Sequence, residues 1–281
     1  MSPQVTVVGD VALDVLVTPS SAVVPGADVR ATIRTAAGGA GANTAAWLAH
    51  LGARVTLVAR VGDDDAGHAA GAQLAAAGVD TVLAVDPELP TCTVVALTED
   101  GDRTLLSDRG AAARLSPADL PVLDADHLHL SGYVLLDPSS RPAGLAALVA
   151  ARDAGITTSV DPQAAPLLTP EFLAWVRGVD LLLPNADELR TLGGSEALLA
   201  DVGAVVSTAG MRGATWEDRG GRWSVPAPLV DVVDATGAGD AFDAGVLVAW
   251  LRGAGPVEAL RAGCAAGAEA VGAFGGRPVR R

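Results

Sequence analysis

Asp240 ends the run Asp234-Ala235-Thr236-Gly237-Ala238-Gly239-Asp240, with helix-like sequence after it and the apolar, strand-like residues 229–233 before it. The small residues Gly237, Ala238 and Gly239 stand where a strand would hand over to a helix. Small side chains there let a phosphate approach the backbone, and the first amides of a helix lack intrahelical partners and point at an incoming anion. A carboxylate beside such a site repels a phosphate that is only bound. It is useful if it removes a proton from a hydroxyl that attacks phosphorus. The bland alternative is an acidic N-cap on a core helix after a glycine turn.

Composition limits what else the chain does. Its 281 residues, half of them hydrophobic, suffice for one large α/β domain with a small appendage. The net charge of −14 argues against nucleic acid and anionic membranes as partners. No apolar run approaches the roughly 20 residues of a membrane span, and the first residues lack a basic leader, so a cytoplasmic protein is expected. Cys92 and Cys264 are the only cysteines, which gives neither a disulfide framework nor a zinc site. All 19 basic residues are arginine. The absence of lysine excludes a Schiff-base lysine and a P-loop lysine. Nucleotide phosphates must therefore meet backbone amides, arginine or metal.

The elements that position Asp240 alternate. Strands are expected at residues 5–8, 11–17, 55–59, 79–85, 91–98, 103–107, 127–130, 157–160, 180–183, 204–207, 214–218 and 222–225. Helices are expected from Gly38-Gly39-Ala40-Gly41-Ala42-Asn43 to residue 51, and over 66–77, 141–154, 170–176, 186–192 and 241–251, with two helices closing the chain. Glu99-Asp100-Gly101-Asp102 reads as a hairpin turn. Strands alternating with helices imply a mostly parallel sheet covered on both faces. Residues 17–35 and 91–108 break the rhythm as β-only segments. They are expected to form a small lid over a core made of residues 1–16, 36–90 and 109–281. Ligands of such sheets bind beyond the carboxyl ends of the strands, which places Asp10, Asp161, Asn185, Thr208 and Asp234 on one rim. His127 and His129 are expected to face opposite sides of their strand, without metal spacing.

Together these residues resemble the ribokinase family of sugar and nucleoside kinases, also called PfkB carbohydrate kinases. Residues 38–64, opening GGAGAN, look like the first family motif, and DATGAGDAFDAG at 234–245 looks like the second. Asn185-Ala186-Asp187-Glu188 resembles the family's N-x-x-E, and Thr208-Ala209-Gly210-Met211-Arg212-Gly213 its T-x-G-x-x-G turn. The resemblance covers essentially the whole chain. It implies a three-layer α/β/α sandwich with a mostly parallel central sheet and a small β-sheet lid.

It also implies roles. Asp240 would be the general base, and the amides of Gly237, Ala238, Gly239 and Asp240 the anion hole. Asp14, Gly38, Gly39 and Asn43 match substrate positions, with Gly38-Gly39 as lid hinge. Asn185, Thr208, Gly210 and Gly213 would lie at the nucleotide. Glu188 would organise Mg²⁺ through water, and Asp234 a monovalent cation, potassium, with carbonyls near Thr236 and Gly275. ATP and Mg²⁺ are the implied cofactors. Lid strands that pair between subunits suggest a homodimer.

Two positions depart from true ribokinases, which carry lysine where Ala40 stands and asparagine where Ala12 stands; ribose itself is thereby in doubt. The leading expectation is phosphorylation of a hydroxymethyl group on a small sugar or sugar acid. A nucleoside kinase is the alternative, although three Phe and one Tyr leave few rings for base stacking besides the five Trp. A non-catalytic sugar or nucleotide sensor has no need of Asp240. A dinucleotide oxidoreductase fails because GGAGAN lacks a leading strand and a complete G-x-G-x-x-G.

Overall fold

The computed structural model describes residues 2–99 and 102–279. The hairpin turn expected at Asp100-Gly101 lies outside the described residues. In chain order the strands are β1 (Gln4–Val8), β2 (Ala12–Pro19), β3 (Ala31–Gly38), β4 (Arg54–Gly62), β5 (Val79–Asp86), β6 (Cys92–Glu99), β7 (Asp102–Asp108), β8 (His127–Ser131), β9 (Thr157–Asp161), β10 (Leu181–Leu182), β11 (Ala204–Thr208), β12 (Ala214–Asp218) and β13 (Gly221–Val225). The helices are α1 (Ala40–His50), α2 (Asp65–Ala76), α3 (Tyr133–Leu136), α4 (Arg141–Asp153), α5 (Glu171–Trp175), α6 (Ala186–Thr191), α7 (Ser195–Leu198), α8 (Ala238–Leu251) and α9 (Pro256–Ala270).

Nine strands form one sheet in the order β13-β12-β11-β10-β9-β8-β1-β4-β5. Its pairings are parallel from β11 to β5, and the β11-β12-β13 edge is antiparallel. Alternation along the strands feeds two cores. Val5 and Val7 of β1 face the cluster containing Trp47, Phe242 and Leu260, whereas Val8 faces the cluster containing Leu128, Phe172 and Leu182. Each fully buried side chain of this size contributes roughly 1.5–3 kcal/mol. A helix layer over each face completes the three layers.

Helices α1 and α8 are alanine- and glycine-rich because they are enclosed. Residues 41–48 of α1 and 240–248 of α8 are buried, so neither shows a polar stripe. A Cβ on Gly245 would meet Ala262 O at 2.6 Å, so glycine lets α8 lie close on α9.

The second sheet has the order β3-β2-β6-β7. It starts at Ala12 and uses β3 through Gly38, so strands β2 and β3 extend past the expected boundaries of 17 and 35 into the segment expected to be core. Residues 229–233 are not a strand: they are irregular, with Leu229 99% exposed. Pro226 and Pro228 remove the ladder donors that would continue from β13, and Val233 N instead donates to Val271 O at 2.7 Å. His127 and His129 share a face, contrary to expectation: both rings reach Ser159 Oγ, at 2.7 and 2.8 Å. Adjacent residues of a strand alternate faces; residues two apart coincide.

Candidate active site

The chain turns into α8 through Gly237, whose φ of 71° is left-handed and whose absent side chain leaves room for the Gly276 backbone. A Cβ there would lie 2.5 Å from Gly276 Cα, so only glycine fits both the turn and the crossing chain. Gly239 differs: a Cβ would meet nothing within 4 Å. The first turn of α8 thus presents its unpaired amides next to open space. Ala238 N is the exception, directed back to Ala235 O at 3.4 Å.

Asp240 sits in that first turn, only 8% exposed. Burial pushes its carboxyl well above the usual carboxylate range, reinforced by the charges of Asp161, Asp10 and Asp14, while a hydrogen bond from Asn43 opposes the shift. Asn43 Nδ2 donates to Asp240 Oδ2 at 2.9 Å. Asn43 is held in α1, which starts where Gly39 adopts a φ of 91° against the Asp10 carbonyl. Asp14 stands in β2 directly opposite Ala36 and packs its carboxyl against Gly38. The structure therefore gathers Asp14, Gly38, Gly39 and Asn43 near Asp240.

Asn185 and Glu188 close a reciprocal capping box on α6. Asn185 Oδ1 accepts from Asp187 N and Glu188 N, and Glu188 Oε2 accepts from Asn185 N at 2.8 Å. An isolated parallel bridge joins Asn185 to Thr208. Gly210 (φ 57°) and Gly213 (φ 94°) then turn the chain into β12. Asp234 Oδ1 accepts from Thr236 N and Oγ1, and Oδ2 from Gly275 N at 3.0 Å. It thereby joins the two segments from which carbonyls were expected at a cation site.

Sequence reasoning named Asp10, Asp161 and Glu188 but missed Asp243, Arg109 and Arg277. Asp243, one turn beyond Asp240, faces Asp161; burial raises both carboxyls, Asp161 to about 8. Glu188 is raised to about 7, also by burial. Arg109 Nη1 donates to Asp10 Oδ2 at 3.1 Å, with its guanidinium 4.8 Å from the Tyr133 ring centre. Arg277 Nη2 donates to Gly38 O at 3.1 Å. The spacing of Asp243 from Asp240 was a usable signal; nothing local marks the two arginines.

The profile of the pfkB family carbohydrate kinases matches residues 2–280. The chain belongs to that family. It is similar to the ATP-dependent ribose-1-phosphate kinase of Halopiger xanaduensis, 34% identical with 90% of this chain and 87% of the relative covered. Among solved structures it resembles aminoimidazole riboside kinase from Salmonella enterica complexed with aminoimidazole riboside and an ATP analogue (29% identity, TM-score 0.81, 97% of this chain and 95% of that one). Adenosine kinase from Sinorhizobium meliloti shares the fold, at TM-score 0.89, 24% identity and coverage of 100% and 97%. The fold is ribokinase-like, and this pfkB member is a sugar or nucleoside kinase. Among the described residues no helix is long and apolar enough to cross a membrane.

Proposed function

We propose that this kinase transfers the γ-phosphoryl group of ATP to a hydroxymethyl group of a small sugar or sugar acid, with Asp240 as general base. The observation that carries the reading is Asp240 itself: a buried carboxylate, raised in pKa, fixed by Asn43 at the head of a helix whose amides border open space. A base tuned upward by burial accepts a hydroxyl proton more readily. The amides of Gly237, Gly239 and Asp240, with Ala238 if it releases Ala235, meet the charge on the transferred group, aided by the helix dipole.

Asp14, Gly38, Gly39 and Asn43 bind the acceptor. Asn185, Thr208, Gly210 and Gly213 line the nucleotide. Magnesium takes one or two carboxylates, keeps several waters and binds substrate phosphates. Glu188 beside Asp161 fits that demand, because burial raises both carboxyls and a cation bound there would offset that cost. Bound there, the ion would neutralise phosphate charge. Asp234 supplies the charge of a potassium site between Thr236 and Gly275. The second sheet closes over the acceptor and excludes water, the competing nucleophile. Its exposed Ile33, Leu105 and Leu106 support pairing with the same sheet of a second copy. The two buried free cysteines agree with a cytoplasmic setting.

The test is ADP release with Mg-ATP and potassium across sugars, sugar acids and nucleosides, beside Asp240→Asn. Turnover on one class, lowered about 10²–10⁴-fold by the substitution, is expected. Turnover confined to nucleosides moves the acceptor to that class. Saturable binding of a panel member without ADP release overturns the catalytic reading.

A further inference from the structure

Among the described residues, the buried side-chain atoms without a hydrogen-bond partner are Asn43 Oδ1, Asp243 Oδ2, Arg109 Nε, Arg277 Nε and Arg277 Nη1. Asn43 and Asp243 lie beside Asp240, and the two arginines reach the turn that leads into the helix of Asn43. The two acceptors flank Asp240, one on α1 and one on α8. The three donors stand at the Gly38–Gly41 turn: Arg277 on the Gly38 carbonyl, and Arg109 through Asp10, whose Oδ1 accepts from Gly41 N at 3.2 Å.

We propose that the acceptor carries an oxyanionic substituent, and that the guanidiniums of Arg277 and Arg109 receive it. This deepens the kinase reading above and rests on it. Neutral hydroxyls already have suitable partners in the Asp14 carboxylate and the Asn43 amide. A guanidinium has five donors and no acceptor, in a planar fork that matches carboxylate or phosphate oxygens. Arg277 uses one nitrogen, on a carbonyl, and leaves two buried without partners. Buried donors left unmade are costly, and more so on a fixed charge. The Arg277 guanidinium is pressed down to about 10 by burial, with Asp14 opposing the shift. Asp10 and Asp14 would repel an anion elsewhere in the cleft. Among the described residues, these two arginines are the cations hydrogen-bonded at the Gly38–Gly41 turn and its Asp10 partner.

The experiment measures kcat/KM from ADP release for ribose 1-phosphate against ribose, and for a 2-keto-3-deoxy sugar acid against its neutral sugar. The full chain is compared with Arg277→Gln, Arg277→Lys and Arg109→Gln. Expected is a preference for an anionic member of one pair. Arg277→Gln and Arg109→Gln each cut the anionic-to-neutral ratio about 10–100-fold, and Arg277→Lys recovers part of it. The pair that shows the preference tells phosphate from carboxylate. Equal or better use of the neutral members by the unsubstituted chain overturns the proposal, as does an equal loss on both members. If no acceptor releases ADP, the kinase reading fails on its own. Calorimetric binding of ribose 1-phosphate and ribose then decides this inference: tighter binding of the phosphate, lost in Arg277→Gln, upholds it, and equal affinity overturns it.

Discussion

Asn43 and Asp240 are 197 residues apart in sequence and share a 2.9 Å hydrogen bond between buried side chains. The amide donates to the carboxylate, and this bond restrains the upward shift that burial imposes on Asp240. It also aims the carboxylate, since Asn43 is locked in a helix pressed against the end of β1. A Cβ on Gly41 would meet Gly9 Cα at 2.7 Å, which measures how close that approach is.

Replacing Asn43 by Ala removes the hydrogen bond that holds the Asp240 pKa down. The acid limb of the kcat profile is therefore expected to move to higher pH, with kcat at neutral pH falling at least tenfold. A pH profile of the variant beside the unsubstituted enzyme checks this. An unmoved limb shows that another group governs it.

The two glycines ahead of Asp240 are expected to separate fold from chemistry. Gly237→Ala places a Cβ in a left-handed residue, costing roughly 1–2 kcal/mol, and against the Gly276 backbone besides. Its melting temperature and activity should both drop. Gly239→Ala enters open space in a helix and gains up to about 1 kcal/mol of helix propensity. Its melting temperature should hold or rise while turnover falls, because in the proposed mechanism the methyl stands where the phosphoryl group approaches. Thermal denaturation and ADP release on both variants make the comparison.

Much of this site could be read from local sequence. Gly237 to Asp240 forms a glycine turn, a helix start and a carboxylate within a few residues, and Asn185 to Glu188 is a capping box with its own spacing rule. The parallel sheet followed from strands alternating with helices. What stayed hidden is set by contacts between distant segments. Arg277 acquires meaning only on the Gly38 carbonyl, and Arg109 only on Asp10. Residues 229–233 have the composition of a strand, but two prolines keep them out of the sheet and leave Leu229 exposed. The extent of the second sheet was also misjudged, because β2 and β3 carry no mark where core ends and small sheet begins.

His127 and His129 predict loss of stability in acid. Both rings are buried against Ser159, and burial lowers them from an ordinary 6.5 to about 3 and about 4. The unfolded chain binds these protons first, so this stabilisation is complete above pH 6.5 and falls as pH drops towards the folded values. His127→Gln is expected to flatten the slope of urea-unfolding free energy between pH 4 and 6.5, by up to about 1.4 kcal/mol per pH unit in that window. An unchanged slope would mean that the His127 ring is protonated in the folded protein.

The carboxylates of the cleft predict the opposite trend on the alkaline side. Asp161 is raised to about 8 and Glu188 to about 7, both chiefly by burial. A raised carboxyl holds its proton in the folded state, so its contribution is complete below the unfolded value near 4 and fades as pH climbs through 7 and 8. Between pH 4 and 6.5 the histidines oppose this trend; above 6.5 the carboxylates act alone. In chelator, the melting temperature is therefore expected to decline from pH 6.5 to 8.5, by several degrees. Asp161→Asn removes one of the titrating groups and should shrink the decline. Magnesium should shrink it too, because a cation beside Glu188 replaces the protons that leave. A magnesium effect of equal size in Asp161→Asn plus Glu188→Gln would place the ion elsewhere and detach it from these carboxylates.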